Sequence, residues 1–187
     1  MISLFQKAPI IMMVEDAVNL TSKMKKFFLF FLFLSSISFS QVNLEKLLNK
    51  WNKGNVPYIS VEKLASLEST VIILDARERR EYNVSHIKNA FFVGYEKFNL
   101  KDVKKILPQN KNKKIIVYCS LGIRSETVAD KLINAGYTNV YNLYGGIFEW
   151  KNKNFQIIDS LGKPTENVHT VDRNWSKLLT KGQKIYE

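Results

Sequence analysis

Short apolar runs alternating with residues at helical spacing predict an α/β protein with a mainly parallel sheet flanked by helices. Two observations carry this prediction. Val71 to Leu74 and Ile115 to Tyr118 are unbroken apolar runs of strand length, the pattern of strands covered on both faces. The run at Ile115 passes through a short Gly-containing loop into the helical pattern Val128, Ala129, Leu132 and Ile133, which Gly136 ends at a C-cap position.

The remaining elements follow in order. Val42, Leu44, Leu47, Leu48 and Trp51 recur at helical spacing and Gly54 ends them, predicting a leading helix. Ile59 sits in a short extended piece after Pro57, and Ser60 caps a helix carrying Val61, Leu64 and Leu67. Ala90 to Val93 is a short strand candidate. Leu100, Val103, Ile106 and Leu107 give a helix stopped by Pro108. Val140 to Leu143 is a further strand, and Gly145-Gly146 opens a short helix with Phe148 and Trp150. Beyond Trp150 the chain is polar and turn-rich, with Phe155 to Ile158 extended and Trp175, Leu178 and Leu179 at helical spacing.

The first 40 residues read differently. Lys23, Lys25 and Lys26 precede an apolar stretch from Phe27 to Phe39 with Ser36, Ser38 and Ser40 near its end, the layout of a secretory signal peptide. Cleavage is expected after Ser40, with the true start at Met24 and a periplasmic destination. An uncleaved N-terminal membrane anchor is the alternative. The predicted organisation is residues 1–40 as extension plus signal, 41–54 as leading helix and linker, 55–151 as one domain, and 152–187 as a C-terminal extension.

The chain of 187 residues carries a formal charge of +11, and removing residues 1–40 leaves +9. A basic balance attracts nucleic acid, anionic membranes or small anions. The lysines are scattered, and the densest group, Lys111, Lys113 and Lys114, reads as a solvated loop, so no nucleic-acid partner is expected. Cys119 is the only cysteine, so no internal disulfide can form. His86 and His169 are isolated in sequence and there is no second thiol, so no metal site or cofactor is predicted.

Cys119 is therefore a reactive thiol, an intermolecular partner or a buried bystander, and its setting selects the first. The strand ends at Cys119, Ser120, Leu121, Gly122 and Ile123 turn the chain, and Arg124 and Ser125 lead into the helix, with Ser125 expected as its cap. A thiol titrates near about 8.5, and the helix N-terminus, the loop amides and the Arg124 charge all favour its ionised form. The same donors make an anion cradle.

These residues resemble the rhodanese-like sulfurtransferases, whose single-domain members carry Cys-x-x-Gly-x-Arg followed by Ser or Thr. Asp75-Ala-Arg77, Glu81 and Ser85-His86-Ile87-Lys-Asn89-Ala90 are similar to the family's upstream pattern, and Gly145-Gly146 with Trp150 to its closing one. Ser120 stands where many members have a basic residue, and Ser85 and Asn89 replace two glycines. The resemblance implies a rhodanese-like doubly wound sheet and a sulfurtransferase in which Cys119 attacks a sulfane sulfur, becomes a persulfide and passes the sulfur to a thiophilic acceptor. Residues 120 to 125 would form the substrate loop, while Asp75, Arg77, Glu81 and His86 would brace it. Arg124 is read mainly as half of an internal ion pair, and His86 as a structural histidine with a general-base role as the alternative.

The function so predicted is an exported sulfurtransferase with a small sulfur-containing anion or thiol as substrate and a possible protein sulfur donor or acceptor. A persulfide carrier without turnover and a thiol redox sensor are alternatives. Phosphatase-like loops also end in arginine but are one residue longer than the four-residue gap between Cys119 and Arg124.

Overall fold

The computed structural model describes residues 44–67, 70–171 and 173–186. The segment read as a signal peptide, with its start at Met24 and cleavage after Ser40, lies outside these residues. Among the described residues no helix is long and apolar enough to cross a membrane.

Five strands form one parallel sheet: β1 (Tyr58–Ile59), β2 (Ile72–Asp75), β3 (Phe91–Phe92), β4 (Ile115–Tyr118) and β5 (Val140–Leu143), in the order β1-β5-β4-β2-β3. Helix α1 covers residues 44–51, followed by α2 (Val61–Ala65), α3 (Arg79–Val84), α4 (Leu100–Ile106), α5 (Arg124–Asn134) and α6 (Gly146–Asn152).

The central strand shows why the apolar runs are unbroken. Successive side chains of a strand point to opposite faces, and in β4 Ile116 and Tyr118 enter one hydrophobic cluster while Ile115 and Val117 enter the other. The first cluster holds Leu44, Leu48, Leu64, Ile147 and Phe148 from α1, α2 and α6. The second holds Val103 of α4 and Val128, Ala129 and Leu132 of α5. With helices on both sides, β4 has no face turned to solvent.

Several expected boundaries shift. Helix α5 begins at Arg124 with Ile123 as its N-cap, so Ser125 lies inside the first turn and its hydroxyl is turned to another use. β2 starts one residue later than expected and extends through Asp75. Asn89, which replaces a family glycine, has φ 63°, a left-handed conformation that asparagine tolerates well among residues with a side chain.

The C-terminal segment is built of small pieces: β6 (Ile157–Ile158) antiparallel to β7 (Pro164–Thr165), and β8 (Asn167–His169) parallel to β9 (Gln183–Ile185). Trp175–Leu178 forms a 3-10 turn in place of the expected α-helical spacing. His86 and Ile158 exchange backbone hydrogen bonds of 2.8 and 3.0 Å, which ties β6 to the domain.

Candidate active site

β4 delivers Cys119 at its C-terminal end, and the loop then wraps the sulfur. Cys119 is 2% exposed. Its Sγ accepts the Gly122 N–H at 3.1 Å and faces the Ser125 hydroxyl at 3.5 Å. Burial, the largest single influence, pushes the thiol up. The Arg124 charge, both the hydroxyl and the N–H of Ser125, and the Gly122 N–H together outweigh it, so the thiol sits below its ordinary value.

The loop amides can turn inward because the loop carbonyls are held outward. The Cys119 carbonyl accepts the Ile147 N–H at 2.9 Å and the Ser120 carbonyl accepts the Phe148 N–H at 3.2 Å, both from the first turn of α6. The Gly122 carbonyl accepts from Asn142 Nδ2 at 2.7 Å and from Asn52 Nδ2 at 2.8 Å. Asn142 is buried in β5, and its Oδ1 also accepts the Ser125 hydroxyl at 2.7 Å. One amide side chain thus orients both the loop and the hydroxyl beside the sulfur.

The helix that supports the loop requires glycine at its start. Gly146 has φ +55°, and a Cβ there would lie 2.7 Å from the Ser120 carbonyl carbon and press on the Cys119 carbonyl oxygen. Real Cβ atoms do not approach backbone so closely, so this contact between α6 and the loop depends on the missing side chain.

Arg124 points away from a free substrate role. Its two terminal nitrogens donate to Glu81 Oε2 at 2.6 Å and Oε1 at 2.8 Å, and to Ser120 Oγ at 3.0 Å. The Ser120 hydroxyl in turn donates to Glu81 Oε1 at 3.1 Å. Burial works against the Glu81 charge, but the Arg124 guanidinium, the Arg77 charge and the Glu78 N–H hold its carboxyl down at about 2. Burial and the Arg77 charge work against the Arg124 cation, but the Glu81 carboxylate and the Cys119 sulfur push it above the usual guanidinium range. Ser120 is therefore part of the lock on Arg124.

Asp75 and Arg77 are both fully buried and paired at 2.6 Å. Arg77 also donates to the Ser85 carbonyl at 2.6 Å, and the Tyr118 hydroxyl donates to Asp75 Oδ2 at 2.6 Å. They brace the strand residue before Cys119, one step behind the loop. His86 Nδ1 donates to the Tyr82 carbonyl at 3.0 Å and its ring stacks on Tyr82 at 3.9 Å. This places His86 as a support for the turn after α3. Leu121 is buried in the core and Ile123 caps α5.

A cavity of about 330 Å³ opens on Cys119, within the usual size of a ligand site. Arg80, Glu81 and Arg124 line it, together with Tyr95 and Trp175. Sequence reasoning did not find Asn52, Tyr95, Asn142 or Trp175. A signal existed only for Asn142, a polar residue inside the apolar run Val140 to Leu143. Among the described residues no three His, Cys, Asp or Glu side chains are grouped so that they could hold a metal ion.

A five-stranded parallel sheet with a buried cysteine at the end of its central strand, in a loop locked by arginine, defines a thiol-centred α/β enzyme fold. The family model of the rhodanese-like domain matches residues 60–153, and the chain belongs to that family of enzymes. The rhodanese-like domain of an Anabaena protein is 26% identical, superposes with a TM-score of 0.50, and the match covers 55% of this chain and 79% of that one. Thiosulfate sulfurtransferase from Pseudomonas aeruginosa shares the fold at 22% identity, with a TM-score of 0.53 over 75% of this chain and 26% of that one.

Curated relatives point elsewhere in activity. The tRNA uridine(34) hydroxylase of Buchnera aphidicola is 36% identical over 140 residues, 72% of this chain and 38% of that protein. The protein of the same name from Photorhabdus laumondii is 34% identical over 100 residues, 51% of this chain and 28% of that protein. The chain thus spans about a third of the length of these relatives.

These relatives correct two expectations. The exported sulfurtransferase acting on a thiosulfate-like or persulfide donor does not stand, because the curated relatives bear the name of a tRNA hydroxylase. The expectation of no nucleic-acid partner falls with it, since tRNA is what that name gives those proteins to act on. Scattered lysines were a poor guide, because a base can be recognised inside a cavity by ring stacking as well as by surface charge.

Proposed function

We propose that this protein is a Cys119-dependent enzyme that modifies a uridine base of tRNA, with hydroxylation at C5 as the reaction. The observation that carries the reading is a buried thiol, held below its ordinary value, that lines one cavity together with Tyr95 and Trp175. An unstacked base can lie on such rings, and the +11 charge suits a polyanion. The names of the curated relatives support the choice of substrate.

The chemistry follows from a thiolate nucleophile. Cys119 Sγ adds to C6 of the uracil ring, forming the S–C6 bond and moving the ring electrons to an enolate across C5 and O4. C5 then takes a hydroxyl group from a two-electron oxidant of the peroxide class, whose O–O bond breaks and whose other oxygen leaves as the anion that takes up the C5 proton in the next step. Loss of the C5 proton expels the thiolate from C6 and restores the double bond. The base is oxidised, the peroxide is reduced, and the thiolate is regenerated. Arg124 and the Gly122 and Ser125 donors hold the sulfur as the leaving anion.

The test is a tRNA transcript incubated with the protein and a peroxide, digested to nucleosides and read by mass spectrometry. 5-Hydroxyuridine is expected from the wild type and none from Cys119→Ser. Absence of product overturns the reading. If a persulfide donor then loads one sulfur atom onto Cys119, and an acceptor thiol removes it, the enzyme type is a sulfurtransferase instead. The compartment is a second check: a tRNA enzyme must reside with tRNA, so cell fractionation that finds the chain exported and beginning after Ser40 also overturns the reading.

A further inference from the structure

The family match ends at residue 153, yet the wall of the Cys119 cavity does not. Val171 and Trp175 line that cavity together with Cys119, Leu121 and Tyr95. Both belong to the C-terminal segment, which is packed into the fold. Val168, His169, Thr170 and Leu179 are buried, and Trp175 packs on the same hydrophobic cluster as α1 and α6.

The segment is pinned from α6. Asn152 accepts the Thr180 N–H at 2.8 Å and donates to the Leu178 carbonyl at 2.9 Å, and Lys151 pairs with Glu166 at 2.6 Å. α6 is also the helix whose first turn holds the Cys119 and Ser120 carbonyls, so one short helix fixes both the thiol loop and the wall beside it. At the cavity edge Val171 has φ 62°, a costly conformation for a β-branched residue. Its N–H donates to His169 Nδ1 at 3.1 Å, and the Thr170 N–H donates to the Ile185 carbonyl at 2.9 Å. The chain bends there at a cost, and the bend brings Val171 and then Trp175 to the cavity.

We infer that Val171 and Trp175 are specificity-determining residues, a wall contributed from outside the matched domain that favours flat heteroaromatic groups at Cys119 Sγ over branched ones. The inference rests on the Cys119 thiol and the Trp175 wall that the proposed function also uses. Its test uses no nucleotide, so the two readings fail on different measurements.

Because Cys119 is the sole cysteine, every thiol reagent reports on this cavity. The experiment measures the rate constants for 2,2′-dithiodipyridine, a flat heteroaromatic disulfide, and for iodoacetamide, which has no ring. Their ratio on one protein removes any general change in sulfur reactivity. In Trp175→Leu, which keeps an apolar side chain but removes the ring system, the ratio is expected to fall about tenfold, the scale of one lost stacking contact. Trp175→Phe should hold it within about twofold of wild type. An unchanged ratio in a folded Trp175→Leu overturns the inference. Should that variant fail to fold, wild-type rates for the pyridyl disulfide and a branched alkyl disulfide decide, each normalised to its reaction with glutathione. Equal normalised rates overturn it, and a clear preference for the pyridyl reagent supports it.

Discussion

Arg124 and Glu81, separated by 43 positions in the chain, meet through two hydrogen bonds of 2.6 and 2.8 Å, with the Ser120 hydroxyl bridging them. The cation that lowers the Cys119 thiol is thus held by a carboxylate from α3 and is committed to the loop. Arg124→Lys keeps a charge but loses the two-point geometry. Arg124→Ala loses both, and its thiol should rise, with the alkylation rate at pH 7 falling about tenfold by loss of one neighbouring charge. Iodoacetamide kinetics across pH check this.

The pH profile of the wild type has a definite direction. Its alkylation rate should reach half-maximum at a lower pH than that of the same thiol in the unfolded chain, because the folded protein holds Cys119 below its ordinary value. In urea the midpoint should return to the ordinary value. An identical midpoint in both states would refute the activated thiol.

Glu81 predicts an acid weakness. Its folded carboxyl titrates at about 2 against an ordinary 4.5, so the unfolded chain binds the proton first as pH falls. The stability contributed is complete above about 4.5 and is lost between there and about 2, on the order of 3 kcal/mol. Urea melts over this range should show the loss in wild type and a smaller pH slope in Glu81→Gln.

Gly146→Ala places a methyl group against the Cys119 and Ser120 carbonyls at a positive φ. The cost should exceed about 2 kcal/mol, and the displaced loop should lower thiol reactivity as well. A surface glycine with open space, Gly162→Ala, gives the comparison for φ strain alone, since nothing lies within 4 Å of its added carbon.

Asn142→Leu tests the hidden amide. It leaves the Gly122 carbonyl with only its Asn52 bond and deprives the Ser125 hydroxyl of its buried acceptor. A loss of about 1 to 3 kcal/mol is expected, together with slower alkylation of Cys119. Thermal melts and the same thiol kinetics measure both.

What could be read without coordinates was local. The unbroken run at Ile115 to Tyr118 states burial on both faces, and β4 feeds both clusters. The spacing from Cys119 to Arg124 states a short loop before a helix, and the helix begins at Arg124. Ser125 as a cap was misplaced because Ser is both a common cap and a buried hydroxyl, and only the presence of Asn142 opposite it selects the second use.

The sequence by itself determined the alternation of strand and helix and the thiol at a strand end, since side-chain period and turn chemistry act between near neighbours. Tertiary structure alone decided that Glu81 holds Arg124, that Asn142 orients the loop, that Gly146 touches the loop backbone, and that Trp175 reaches the cavity. Each is a contact between distant residues, and it exists because two faces packed together, which no local pattern encodes.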